Sequence, residues 1–338
     1  MRTTVTGGAG FIGGHLTEHL LARGDEVTVL DDLSTGSVGN LSAVRDHPRL
    51  TFVEGSILDR STLRSVVSGA DRVFHLAAAV GVRRIVDHPL ESLRTNLHGT
   101  ENVLDAALEA DAQVVLASTS EVYGKNTADR LSEESDRILG SPLKSRWTYA
   151  AAKGIDEAFA DAYRRDFGLR TVIVRLFNTV GPRQTGRYGM VMPNLVGQAV
   201  RNEPLTVFGD GKQTRCFSFV GDIVPALVRL AEEPAANGEA VNLGGRYEVS
   251  ILRLAELAVQ VLGSSSPITL VPYDEAYGPG FEDMRRRVPD NSKAERLIGY
   301  RPTTSVEEMV LSVAGGSNPA PAFGVEREVR AALAAEVG

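Results

Sequence analysis

The chain has 338 residues, 43% hydrophobic and 23% charged, which leaves room for two substructures or one large α/β domain of ordinary globular composition. A formal net charge of −7 offers no electrostatic footing for nucleic acid or an anionic membrane surface, so neither is expected as a partner. The single cysteine, Cys216, excludes an internal disulfide and a Cys-based zinc cage, and the six histidines are scattered without metal-ligand spacing, so no metal is expected.

The chain opens "MRTTVTGGAG", a short strand running straight into a glycine turn. No apolar run is long enough for a secretory leader or a membrane span, and the expected location is cytoplasmic. In chain order, apolar strands are predicted at Thr3–Thr6, Glu26–Leu30, Leu50–Val53, Arg72–Leu76, Val114–Ala117 and Thr171–Leu176. Helical patterns fall between them at Phe11–Arg23, Arg94–Ala110 and Trp147–Phe167. Strand–helix alternation of this kind predicts a Rossmann-like, doubly wound parallel sheet with right-handed crossovers. After Gly181-Pro182 glycine and proline punctuate the chain heavily, with helices expected near Val191–Arg201, Asp222–Glu232 and Ile251–Leu262. The expected organisation is therefore a dinucleotide-binding domain over 1–180 and a smaller α/β substrate-binding region over 181–313, one or two of whose segments return to the first sheet. A linker, 314–324, and a short amphipathic helix, Val325–Val337, would complete it.

Gly7, Gly10 and Gly13 stand as G-x-x-G-x-x-G between a strand and a helix. Such glycines allow a tight turn and bring backbone N–H groups close to a pyrophosphate at the helix N-terminus. Asp31 closes the second strand, where a carboxylate would accept from an adenosine ribose hydroxyl and repel a 2′-phosphate, favouring NAD over NADP. Two further features stand out. The fifth strand runs into Thr119, Ser120 and Glu121, although buried parallel strands are expected to be nearly continuously apolar. Tyr149 and Lys153, in "WTYAAAKG", lie one helical turn apart and project from one face. An ammonium beside a buried phenol would lower the phenol's pKa and make it a base near neutral pH.

Taken together, Gly7–Gly13, Asp31, "GSILD", "FHLAA", Asn96, "STSEVYG", the Tyr149/Lys153 pair, "RLFNTVGPR" and "RCFSFVGD" resemble an extended short-chain dehydrogenase/reductase acting on nucleotide sugars, over about residues 1 to 312. The resemblance implies cofactor contacts from Gly7, Gly10, Phe11, Ile12, Gly13, Asp31, Ile57, Asp59, Leu76, Ala77, Ala78, Asn96, Tyr149 and Lys153. It implies contacts to a UDP-sugar from Asn178, Arg183, Arg215 and Arg287. It also implies a homodimer packed through the Arg94–Ala110 and Trp147–Phe167 helices.

In such enzymes the sugar's C4 hydroxyl is oxidised, with the residue at Thr119 orienting it and Tyr149 taking its proton. Three fates of the 4-ketone are then open. Elimination uses an Asp–Glu pair at the positions of Ser120 and Glu121, and Ser120 is a poor acid. Epimerisation needs no carboxylate at 121. Decarboxylation of a glucuronate, a β-keto acid once C4 is oxidised, suits Ser120, Glu121 and Arg287, and "TSEVYG" and "RVPD" resemble UDP-glucuronate decarboxylases. That reaction is the primary expectation, and a UDP-sugar 4-epimerase is the alternative. "SPLKSRWTY" departs from the enzymes that make UDP-xylose and resembles those that release the 4-keto pentose, leaving open whether hydride is returned.

Overall fold

Seven parallel strands form the central sheet of the computed structural model, which describes residues 1–81, 88–186, 189–277 and 282–315. They are β1 (Arg2–Thr6), β2 (Glu26–Asp31), β3 (Leu50–Glu54), β4 (Arg72–His75), β5 (Gln113–Thr119), β6 (Thr171–Leu176) and β7 (Ala240–Leu243). Their order is β7-β6-β5-β4-β1-β2-β3, so the chain reverses its direction of build across β1 and β4. Ligands of such sheets bind at this switch point, outside the carboxyl ends of the strands.

Side chains alternate between the two faces of each strand. Val5, Phe74, Val115, Val172 and Val174 pack with α1 (Phe11–Ala22) and α6 (Val220–Glu232), whereas Val73, Val114, Leu116 and Ile173 pack with α2 (Arg60–Val67), α3 (Pro89–Glu109) and α4 (Thr148–Phe167). Both faces are thus covered by helices, which is why the strands read as apolar runs.

The smaller region stands over the carboxyl ends. Helices α5 (Val191–Val200), α7 (Ile251–Val261) and α8 (Val306–Gly315) pack together there. A three-stranded sheet orders Glu248–Ser250, Thr214–Cys216 and Arg286–Arg287, and Leu205–Phe208 pairs with Ile268–Val271. The last strand of the main sheet, β7, comes from this later half and pairs with β6.

Most element ends lie within two residues of expectation, and three differences stand out. Helix α3 begins five residues early because Pro89 occupies its first turn, where a missing N–H costs nothing. Strand β5 continues through Ser118 and Thr119, since the ladder to β6 extends to Thr119 and Leu176 and the Ser118 hydroxyl is satisfied by Glu157 of α4. Glu121 therefore sits on a 3₁₀ turn, Ser120–Tyr123, which the Thr119 hydroxyl caps by accepting from the Glu121 N–H at 3.2 Å. Ala314 and Gly315 end α8, whereas 316–324 and the expected helix Val325–Val337 lie outside the described residues.

Candidate active site

A single connected cavity of about 650 Å³ runs along the carboxyl ends of β1 to β6. One half is built from backbone. Gly7 has φ +75, and a Cβ there would lie 2.7 Å from the Ala77 N, so only glycine lets the first turn pass against the loop after β4. At Gly13 a Cβ would meet the Gly7 carbonyl oxygen at 2.1 Å, which fixes the close approach of α1 to the turn. Gly7, Gly10, Phe11, Ile12, Gly13, Asp31, Ile57, Leu76, Ala77 and Ala78 all line this half. The Asp31 carboxylate accepts from the Ala9 and Leu33 N–H groups, each at 2.9 Å, and burial raises its pKa against those bonds.

Three residues assigned to ligand contacts turn out differently. Asp59 caps α2, accepting from the Ser61 and Thr62 N–H groups at 3.0 and 3.3 Å, and does not line the cavity; Ser56, Ile57 and Leu58 do. A helix N-cap and a ligand contact both call for a carboxylate, so sequence alone does not separate them. Asn96 is buried behind the loop after β4, where its side-chain oxygen accepts from the Ala79 N–H at 2.8 Å and braces the loop. Arg183 lines the cavity at the glycine-turn end, where it bonds Glu18 (2.6 Å) and the Asn40 carbonyl (2.7 Å) and contacts the His15 ring nitrogen (2.6 Å), away from the other arginines.

The other half is built from charged side chains. Thr119, Ser120, Glu121, Tyr149, Asn178, Arg215 and Arg287 line it together. Arg287 donates to Glu121, to the Asn178 side-chain oxygen at 2.8 Å and, more weakly, to the Ser120 hydroxyl at 3.4 Å. The second oxygen of Glu121 accepts from Arg146 at 2.5 Å. Arg146 reaches on to Asp283 at 3.2 Å, whose other oxygen takes Arg215 at 3.0 Å. A chain Arg287–Glu121–Arg146–Asp283–Arg215 thus crosses the floor. Burial alone would raise the Glu121 pKa, but the Arg287 and Arg146 guanidiniums outweigh it and hold the carboxyl down at about 2. A carboxylate held in this way remains an anion and is a poor proton donor.

Arg146 and Asp283 went unnoticed in the sequence. The available signal for Arg146 is its place three residues before Tyr149, in the turn leading into α4. Asp283 precedes "MRRRVPD", but only the fold brings it to Arg146.

Tyr149 lines the cavity from the inner face of α4, whereas Lys153, expected to contact the cofactor, is buried one turn on and does not line it. Lys153 is buried and pairs with Asp156 at 2.9 Å, one helical turn on. Burial raises the Tyr149 pKa, and the Glu121 and Asp156 carboxylates raise it further. Lys153 does not offset this, because its charge is largely spent on its own buried partner. Among the described residues no group of three or more His, Cys, Asp or Glu side chains is arranged to hold a metal, and no helix is long and apolar enough to cross a membrane.

The family model described as GDP-mannose 4,6 dehydratase matches residues 4–313. The chain is 41% identical over 312 residues to a UDP-N-acetyl-alpha-D-glucosaminuronate decarboxylase of Bacillus cytotoxicus, covering 91% of this chain and 94% of the relative. It is 36% identical over 308 residues to UDP-glucuronic acid decarboxylase 1 of Arabidopsis thaliana, covering 91% of this chain and 68% of that one. Among solved structures, a UDP-glucuronic acid 4-epimerase from Bacillus cereus, in complex with UDP-glucuronic acid and NAD, superposes with a TM-score of 0.84 at 29% identity, over 94% of this chain and 98% of that one. With a family model spanning nearly the whole described fold and the cavity at its switch point, the chain belongs to the GDP-mannose 4,6-dehydratase family of extended short-chain dehydrogenases/reductases.

Proposed function

We propose that the protein is an NAD-dependent decarboxylase of a UDP-linked uronic acid, with UDP-glucuronate as the first substrate to test. The observation that carries this reading is Glu121, held as an anion between two guanidiniums on the turn that also presents Thr119 and Ser120 beside Tyr149. A 4,6-dehydratase needs a carboxylic acid beside that position, and Ser120 is not one. An epimerase of a neutral hexose has no use for the arginine–carboxylate chain.

The backbone half of the cavity fits NAD. Gly7, Gly10 and Gly13 leave room for a pyrophosphate at the start of α1, and Asp31 has lone pairs remaining for ribose hydroxyls. When bound, NAD supplies a hydride acceptor and a positively charged ring.

On this reading Tyr149 accepts the C4 hydroxyl proton, and Thr119 orients that hydroxyl. The phenol is not preactivated by Lys153, so a nearby positive charge is needed to bring its pKa down. With a ketone at C4, the C5–C6 bond breaks as CO2 leaves and its electron pair passes to the C4 oxygen as an enolate. The Arg287 guanidinium stabilises that charge and, with Ser120, directs a proton from solvent to C5, where the enolate's electron pair forms the new C–H bond as the C4 ketone re-forms. Glu121 does not donate it; its role is to hold the guanidiniums in place. Arg215 and Asn178 serve the nucleotide–sugar end. Residues 1–180 serve the cofactor and supply the reacting side chains, and 181–313 supply most of the remaining contacts to the nucleotide sugar. We further place the protein in the cytoplasm as a homodimer packed through α3 and α4, on whose outer face Ile155 and Phe167 are 45% and 63% exposed. Light scattering returning a monomeric mass would remove the dimer.

The higher identity to an N-acetylglucosaminuronate enzyme favours a second substrate reading, a 2-acetamido uronate undergoing the same reaction. The test is incubation with either UDP-uronate and catalytic NAD, following CO2 and the mass of the nucleotide sugar. CO2 with a pentose, or its 2-acetamido counterpart, supports the reading and ranks the substrates. NADH accumulating with added NAD marks release of the 4-keto product. A six-carbon isomer without CO2 makes the protein a 4-epimerase and ends the proposal.

A further inference from the structure

Arg146 has no direct part in the reaction as proposed, yet it is one of the buried cations of the site. Its side chain is 8% exposed, it lines the cavity, and its guanidinium stacks 5.3 Å from the Trp147 ring centre. Two of its nitrogens bond Glu121 and Asp283. The third, Nε, is buried and finds no acceptor among the described residues, and the same is true of the Arg287 Nε. Buried donors are almost always paired, and leaving two unpaired in one site is costly unless a ligand supplies the acceptors.

The charge count points the same way. Arg146, Arg215 and Arg287 face Glu121 and Asp283, three positive groups against two negative, which leaves one positive charge on this floor. Glu121 offers one carboxylate oxygen to each of Arg146 and Arg287 and so fixes the two forks at a set separation.

We propose that Arg146 and Arg287 form a two-armed clamp for the substrate's C6 carboxylate, with Glu121 as the positioning anion between them. This rests on the uronate reading above and adds to it the residue that distinguishes a uronate from a neutral hexose. Planar guanidinium forks suit carboxylates, and Arg146 approaches from the Tyr149 side whereas Arg287 approaches from the Asn178 side. The clamp holds the carboxylate until CO2 departs, after which its surplus charge faces the enolate.

The test uses NAD-loaded full-length protein carrying Tyr149→Phe, so that no turnover occurs, and calorimetric titration with UDP-glucuronate, UDP-glucose and UDP. The parent should bind UDP-glucuronate at least about tenfold more tightly than UDP-glucose, as expected for a charge-assisted bidentate contact. Adding Arg146→Gln should bring that ratio close to one while UDP affinity stays within about twofold. Arg146→Lys, which keeps the charge and loses the fork, should fall between. A ratio unchanged by either substitution overturns the clamp and leaves the uronate reading standing. Loss of UDP and NAD binding together makes Arg146 a structural residue and also overturns it. A parent that binds both sugars equally overturns the clamp along with the reading on which it rests.

Discussion

The two halves of the cavity are made by opposite means. The cofactor half uses backbone at the ends of β1 to β4, with glycines where a Cβ would meet carbonyl oxygen or backbone nitrogen within 3 Å, and with the neighbouring carboxylates Asp31 and Asp32. The sugar half uses five charged side chains from four separated stretches of chain: Glu121, Arg146, Arg215, Asp283 and Arg287. The first binds by shape and needs no charge balance. The second stays stable only while each carboxylate keeps its guanidinium partners, because an isolated buried charge is expensive. The lesson is that one half tolerates chemical change and no added volume, whereas the other tolerates changed volume and no unpaired charge.

The sharpest break separates chemistry from binding. Tyr149→Phe should lower CO2 release by roughly three orders of magnitude, the middle of the range for general acid–base catalysis, while leaving NAD and UDP affinities in place. Single-turnover kinetics beside calorimetry would check it, and unchanged turnover would remove Tyr149 from the mechanism. Next comes Gly13→Ala, whose Cβ would lie 2.1 Å from the Gly7 carbonyl oxygen. One methyl there should weaken NAD by about a hundredfold or prevent stable folding, since overpacking of a rigid turn costs about 1–3 kcal/mol or more. NAD titration with a melting curve would distinguish these outcomes.

Glu121→Gln probes the opposite sensitivity, keeping volume and removing charge. The folded carboxyl titrates at about 2, against an ordinary value of 4.5. A depressed acid contributes stability that is complete above its ordinary pKa and is lost as pH falls from there toward the folded value. Wild type should therefore exceed Glu121→Gln by on the order of 2–3 kcal/mol near neutrality, with the gap closing below about pH 4.5. The buried imidazoles His75 and His15, pushed down to about 3 and 4, lower the stability of both proteins as pH falls below the ordinary histidine value and cancel in the difference. Chemical denaturation at several pH values would show it, and a gap constant down to pH 3 would mean Glu121 is not paired in solution.

The smallest effect is expected at the rim. Glu282 gathers Lys125 at 2.6 Å and Lys144, both at partly exposed positions, and the indole N–H of the buried Trp147 at 3.1 Å. Exposed pairs contribute about 0–1 kcal/mol each, so Glu282→Ala should alter stability by less than about 1 kcal/mol and raise KM by only a few-fold. A large loss of kcat would show that this rim governs the clamp beneath it.

The glycine turn, Asp31 and the Tyr149/Lys153 spacing were legible in the sequence because each depends on neighbours within one turn or one strand–helix unit. Ser56 and Asp59 show the limit: both stand in "GSILD", and only the start of α2 decides that the acid caps a helix and the serine lines the cavity. Lys153 shows another. Its spacing from Tyr149 predicted a lowered phenol pKa, and the equally local Asp156, three residues on, takes up that charge instead.

By itself, then, the sequence determined the alternating strands and helices, the phosphate turn and the residue types at the end of β5. These follow from backbone sterics and hydrophobic periodicity, which act over a few residues. Only the tertiary structure decided that Arg146, Asp283 and Arg287 converge on Glu121 and Arg215. Pairing among buried charges is governed by distance in space and by the cost of desolvation, and neither is written in the spacing along the chain.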